Sequence, residues 1–234
     1  APMADVTDAA YRKLIASKGK PAVTWTEFVS ADGLYYTREK KGIPDEENPL
    51  MRDLHFTDAE RPIVAQLFSS NPETMAYAAK LCAALGFDGV DINMGCPDKS
   101  IEKQGCGAAM IKDPAKAKEI IKAARESGLP VSVKTRIGYN QEAIDEWLPQ
   151  LLEENLPALT VHLRTRKEMS NVPAHWELMP RVVALRNRIA PETLIIGNGD
   201  VADLADAKQK ALDAGCDGVM IGRGIFGNPW VFAG

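Results

Sequence analysis

The side chains most able to do chemistry in this chain stand where short apolar runs end. Cys96 lies in NMGCPDKS (93–100), just after the run GFDGVDI, between a glycine and a proline. Other runs end the same way. PIVAQLFS carries Gln66, VSVKTRIG carries Lys134 and Arg136, and ALTVHLRT carries His162 and Arg164. TLIIGNGD ends in Asn198, Gly199 and Asp200, and GVMIGRG in Gly222, Arg223 and Gly224. Polar groups on runs of Val, Ile and Leu are costly unless satisfied. Lys134 is the hardest to explain by packing, because a lysine is almost never fully buried without a partner.

A thiol at such a place is a core residue, a metal ligand, half of a disulfide or a reagent. The other cysteines, Cys82, Cys106 and Cys216, form no CxxC pair and no Cys/His cluster with it. No metal site is therefore expected, and the cysteines read as reduced thiols of a cytoplasmic protein. The two glycine-rich ends, GNGD and IGRG, let backbone N–H groups approach an anion, and Arg223 adds charge. Together they predict a phosphate site.

These groups must be held by a scaffold. The chain has 234 residues, 45% hydrophobic and 26% charged, an ordinary globular composition. Its net charge of −4 argues against a surface coated in positive charge, though not against a local basic rim. No stretch is apolar over the roughly 18 residues of a membrane span, so no membrane partner is expected. APMADVTDAA has neither the basic start nor the apolar core of a secretory leader, and it lacks an initiator Met. The expectation is a part excised from a longer protein.

Apolar runs alternate with helical patterns along the whole chain. Strands are predicted at 22–30, 62–69, 89–95, 130–138, 158–165, 193–200 and 218–224, with APM (1–3) as the tip of a truncated first strand. Between them, Met75, Ala78, Ala79, Cys82 and Leu85 fall at helical spacing. Asp113-Pro114 opens a helix carrying Ala117, Ile120, Ile121 and Ala124. Near-continuous apolar strands separated by helices imply a parallel sheet. Eight of them predict an α/β fold, a (β/α)8 TIM barrel forming one domain over 1–234, with 38–60 as an insertion. In such a barrel catalytic groups collect at the C-terminal strand ends, where the polar residues above lie.

On these residues the chain resembles the tRNA-dihydrouridine synthases. APMADVTD, AQLF, DINMGCPDKS, VKTRIG, VHLRTR, IIGNGDV and GVMIGRGIFGNPWVF occur in that family's order over nearly the whole sequence. The resemblance implies an FMN-binding barrel that reduces the C5=C6 bond of selected uridines in tRNA, with NADPH as reductant. It also implies a small C-terminal helical domain that helps hold tRNA and is not in this sequence. Carried over by motif, Pro2, Met3 and Ala4 would line the flavin, and Gln66 and Lys134 would contact the isoalloxazine. His162 would sit by the ribityl–phosphate side. Asn198, Gly199, Asp200, Gly222 and Arg223 would cradle the phosphate. Cys96 would be the proton donor, and Asn93, Arg136 and Lys99 would meet the substrate. Asp5 and Leu163 stand where the family commonly has glycine, and Cys106 where another small residue is frequent.

The implied chemistry sets a condition on Cys96. Hydride delivered to C6 leaves negative charge at C5 and on the C4 carbonyl, and C5 then needs a proton. A thiol near its ordinary pKa of ~8.5 can give one, whereas a strongly activated thiolate is the wrong species. RNA arriving at the barrel mouth would meet Arg38, Lys40, Lys41, Lys99, Lys103, Arg166 and Lys167 in predicted βα loops. Two other readings compete: an FMN barrel acting on a small molecule, such as a dihydroorotate dehydrogenase-like enzyme, and an RNA-binding factor without the reaction.

Overall fold

The computed structural model describes residues 1–233. Seven parallel strands form one sheet in chain order. They are β1 (Thr24–Ser30), β2 (Ile63–Phe68), β3 (Gly89–Met94), β4 (Val131–Arg136), β5 (Ala158–His162), β6 (Leu194–Asn198) and β7 (Gly218–Met220). The helices that cover the sheet are α1 (Ala9–Lys18), α4 (Pro72–Ala84), α6 (Pro114–Arg125), α7 (Ile144–Leu152), α8 (Met179–Ile189) and α9 (Leu204–Ala214). Three short ones, α2 (Ala31–Tyr35), α3 (Pro49–Asp53) and α5 (Lys99–Glu102), lie in loops.

Local chemistry explains where the helices begin. Asp113 accepts from the Lys116 N–H at 3.0 Å ahead of Pro114. Asn71 does the same for the Glu73 N–H at 2.9 Å ahead of Pro72. In each, a short polar side chain caps the first turn, and proline lacks only an N–H that would have had no helical partner. The expected apolar faces are buried: Met75, Ala78, Ala79 and Cys82 on α4, and Ala117, Ile120, Ile121 and Ala124 on α6. The segment 38–60, expected as an insertion, holds the end of a π-helical turn (Tyr36–Lys40), α3 and a 3-10 turn.

The strand count is corrected from eight to seven. Residues 1–3 form no strand; the Ala1 amino group donates to the Ile221 carbonyl beyond β7. β1 and β7 are not paired with each other. Both still line one apolar cleft of about 380 Å³, with Thr24 and Trp25 on one side and Gly218, Val219 and Met220 on the other. The sheet thus curls round as the β/α barrel predicts. Its interior register sets the site: Gln66, Asp91 and Ser132 are neighbours across β2, β3 and β4, and Asn93 pairs with Lys134 one layer further up. Arg136, His162 and Asn198 form the top row.

Candidate active site

Six of the seven strands, β1 to β6, send a residue from their C-terminal half into a single cavity of about 710 Å³. Phe28, Gln66, Asn93, Lys134, His162 and Asn198 line it in strand order, with Gly222 and Arg223 after β7. Pro2, Met3, Cys96, Arg136, Gly199 and Asp200 complete the expected set there. Two expected residues lie apart. Ala4 is exposed and absent from the lining, and Lys99 is exposed on α5.

The Cys96 turn is held from several sides. The Asn93 Oδ1 accepts from the Gly95 and Cys96 N–H groups at 3.1 and 2.9 Å. The Cys96 carbonyl accepts from the Ala108 N–H at 2.9 Å. Gly107 makes that approach possible: its φ is +59°, and a Cβ there would lie 2.6 Å from the Cys96 carbonyl oxygen. Burial pushes the Cys96 thiol up from its ordinary value, against a lowering from the Asp98 N–H. The thiol is therefore protonated at neutral pH, which suits an acid and not a thiolate nucleophile.

Lys134 makes no hydrogen bond to any described residue and faces the cavity. Burial, with the nearby Arg136 charge, pulls its ammonium down to about 8. An amine left without a protein partner at the wall of a cavity fits a ligand with hydrogen-bond acceptors. Arg136 is committed to the scaffold: it donates to the carbonyls of Gly95 (2.7 Å), Thr165 (3.2 Å) and Met169 (3.0 Å). It ties the Cys96 turn to the loop after β5. Arg166 reinforces that tie through a bidentate pair with Glu102.

The side of the cavity expected to take a phosphate is built around Arg164, a buried residue just past the β5 end. It donates to the Val172 carbonyl at 2.6 Å and pairs with the Asp200 carboxylate. Its Nη1 lies 3.1 Å from His162 Nε2. A guanidinium only donates, so Nε2 is the acceptor and the ring proton sits on Nδ1. Burial, then the surrounding Lys134 and Arg charges, holds His162 well below its ordinary value, so the imidazole is neutral. Arg223, largely exposed, reaches Asp200 at 3.3 Å. The Asp200 carboxylate is thus already the counterion of two guanidiniums, and what it can offer an anion is its backbone N–H. Gly199 (φ +125°) brings the chain in close: a Cβ would lie 2.7 Å from that of Ala174. Asn198 Nδ2 donates to the Met220 carbonyl at 2.8 Å and joins β6 to β7. Glycine-bordered N–H groups, an exposed arginine and an unpartnered lysine across the cavity together fit a phosphorylated, ring-bearing cofactor.

Several other expectations have outcomes. Arg38 is paired with Asp45 and Tyr77, and Arg166 with Glu102, so these two rim cations already have partners. Lys40 and Lys41 lie over the rings of Tyr35 and Tyr36, and Lys99, Lys103 and Lys167 are exposed without ion pairs among the described residues. Asp5 has a φ of +59°, a conformation that explains why glycine suits its place. All four cysteines are free. No group of three metal-ligating side chains occurs among the described residues, and no helix is long and apolar enough to cross a membrane. The sequence places Arg164 at a strand end but assigns it no role, and it does not single out Asp91 on β3, for which a lone charge inside GVDIN is the available signal.

Comparison with known proteins agrees with this geometry. The chain is 44% identical over 233 residues to the probable tRNA-dihydrouridine synthase 2 of Bacillus subtilis (strain 168), covering 99% of this chain and 70% of that protein. It is 43% identical to the probable tRNA-dihydrouridine synthase of Staphylococcus epidermidis (strain RP62A), covering 99% and 69%. In fold it is similar to histamine dehydrogenase from Rhizobium sp. 4-9 (TM-score 0.63, 11% identity, 95% of this chain and 42% of that one). It is equally similar to a 2-naphthoyl-CoA reductase (TM-score 0.65, 9% identity, 99% and 47%). The dihydrouridine synthase family model matches residues 1–234, and with relatives this close over nearly the whole chain, the protein belongs to the dihydrouridine synthase family.

Proposed function

We propose that this chain is the FMN-binding catalytic domain of a tRNA-dihydrouridine synthase, which reduces the C5=C6 bond of uridines in tRNA with NADPH as the reductant. One observation carries the reading. A thiol kept protonated by burial shares a cavity with an unpartnered lysine and a glycine-bordered anion cradle, in a chain of this family.

Lys134 and Gln66 would hold the ring system of FMN, with Pro2 and Met3 beside it and Ala4 flanking. His162, through its free Nδ1–H, would meet the ribityl–phosphate side. Gly199, Asp200 and Gly222 would give backbone N–H groups to the phosphate, and Arg223 its charge, with Asn198 keeping β6 and β7 in place. Bound FMN in its reduced form supplies the hydride for C6 of the uracil.

The protein's own part is to orient the base and manage one proton. Asn93 Nδ2 and the remaining Arg136 N–H groups are the donors available to the uracil carbonyls, where negative charge develops. Cys96 then gives its thiol proton to C5. A base inside folded RNA must leave its stack to reach the cavity, at a cost of roughly a few kcal/mol. Phosphate contacts from Lys40, Lys41, Lys99, Lys103 and Lys167 would offset it. The longer relatives suggest a further segment, which we assign to the helical part that helps hold tRNA. The free thiols suit the cytoplasm, where tRNA is found.

The test is direct. Purified full-length protein should be yellow, with flavin absorbance. With NADPH and unmodified tRNA it should yield RNA heavier by two hydrogens per site. Turnover confined to dihydroorotate or another small enone would defeat the reading.

A further inference from the structure

Asp91 is 0% exposed, in the middle of β3, beneath the cavity and not part of its lining. A buried carboxylate needs partners for both oxygens. Ser132 Oγ donates to Oδ1 at 2.6 Å, and Gln66 Nε2 donates to Oδ2 at 2.6 Å. Lys134 on the neighbouring strand adds an opposite charge. Burial raises the Asp91 carboxyl to about 6, against the lowering from Ser132, Gln66 and Lys134, which leaves it ionised at pH 8.

An ionised carboxylate accepts hydrogen bonds and donates none. Gln66 must therefore turn its NH2 toward Asp91, which leaves its Oε1 facing Asn93. Asn93 Nδ2 donates to that oxygen at 3.4 Å. With one N–H of its NH2 on Gln66, Asn93 presents Oδ1 on its other side. There it accepts from the Gly95 and Cys96 N–H groups at 3.1 and 2.9 Å. Each amide has only one orientation that satisfies both neighbours: the carboxylate fixes it from one end, and the Gly95 and Cys96 N–H groups, which only donate, fix it from the other. An apolar side chain at position 91 would remove the acceptor that the Gln66 NH2 uses and leave that end of the chain unanchored.

We propose that Asp91 is a positioning residue for Cys96: it orients a hydrogen-bonded chain through Gln66 and Asn93 that ends on the backbone of the Cys96 turn. The bonds themselves do not require the assigned reaction. The consequence for catalysis rests on Cys96 being the proton donor.

The test uses the full-length protein and reads two quantities. One is the rate of Cys96 alkylation by iodoacetamide at pH 8, followed on the Cys96 peptide by mass spectrometry. The other is kcat and KM on unmodified tRNA. Asp91→Ala should raise the alkylation rate about tenfold, the scale of one lost buried hydrogen bond. It should lower kcat while leaving KM for tRNA near wild type. Asn93→Ala should raise alkylation similarly, and the double variant should go no further than the larger single effect. Asp91→Leu, similar in size and without an acceptor, should also raise the rate, and it carries the test if the alanine variant does not fold. An unchanged rate in the folded Asp91 variant, or a double variant equal to the product of the two singles, overturns the proposal. Wild-type protein inactive on tRNA with Asp91-sensitive alkylation would sink the functional reading and leave the chain of bonds standing. Turnover of tRNA with Asp91-insensitive alkylation would do the reverse.

Discussion

At the scale of single residues, burial decides the protonation of two groups, and in each the result suits the proposed chemistry. Burial raises Cys96, so the thiol keeps its proton. Cys96→Ala should retain flavin absorbance and lose about 100-fold or more in tRNA reduction, the usual scale for a removed general acid. Full-speed turnover by that variant would remove the acid assignment. Burial lowers Lys134 to about 8, below its unfolded value near 10.4. Between those two pH values the folded state binds fewer protons than the unfolded state, so Lys134 makes stability rise with pH. The cost of the buried ammonium is fully present below about pH 8 and relieved by pH 10.4. Flavin-stripped Lys134→Met should thus unfold at higher urea than wild type at pH 7, by roughly 1–3 kcal/mol. The gap should close between pH 8 and 10.4, and a gap independent of pH would show that the ammonium is not what costs stability.

At the scale of elements, the site depends on where the chain can turn tightly. The β6 end needs Gly199 because its φ is +125° and Ala174 leaves no room for a Cβ. Trp176, under Gly197, donates from its indole to the Gly199 carbonyl at 2.7 Å and fixes the turn from below. Gly199→Ala should therefore displace the turn that offers N–H groups to a phosphate. Flavin affinity, read by fluorescence quenching, should fall at least about tenfold, consistent with ~1–3 kcal/mol of local backbone strain. An unchanged dissociation constant would take this loop out of the cofactor site.

At the scale of the whole molecule, an acidic protein must meet a polyanion. The net charge of −4 repels RNA on average, so the proposed binding of tRNA would rely on local cations. Arg38 and Arg166 are drawn into internal pairs, which leaves the lysines at 40, 41, 99, 103 and 167. KM for tRNA should rise steeply with salt, because each phosphate contact releases counterions. Replacing Lys99, Lys103 and Lys167 together with Ala should flatten that dependence by about 2–3 in log–log slope and leave kcat near wild type. An unaltered slope would show that RNA docks elsewhere on the barrel.

The sequence by itself determined the alternation of strands and helices, the parallel sheet, and most of the residues that meet in the cavity. Those signals are local: apolar runs of strand length, a cap such as Asp113-Pro114, and polar groups at run ends. It did not determine whether residues 1–3 form a strand, since strand pairing is settled by neighbours remote in the chain. Nor did it separate free cations from paired ones. Arg166 and Lys167 are adjacent, yet only Arg166 reaches Glu102, 64 positions away. Only the tertiary structure showed that the Asp200 carboxylate serves two arginines. Only it showed that Asp91 ties Gln66 and Asn93 into one directed chain. Hydrogen-bond direction depends on which donors and acceptors the sheet register brings face to face, and that register is a property of the paired strands together, not of any one strand.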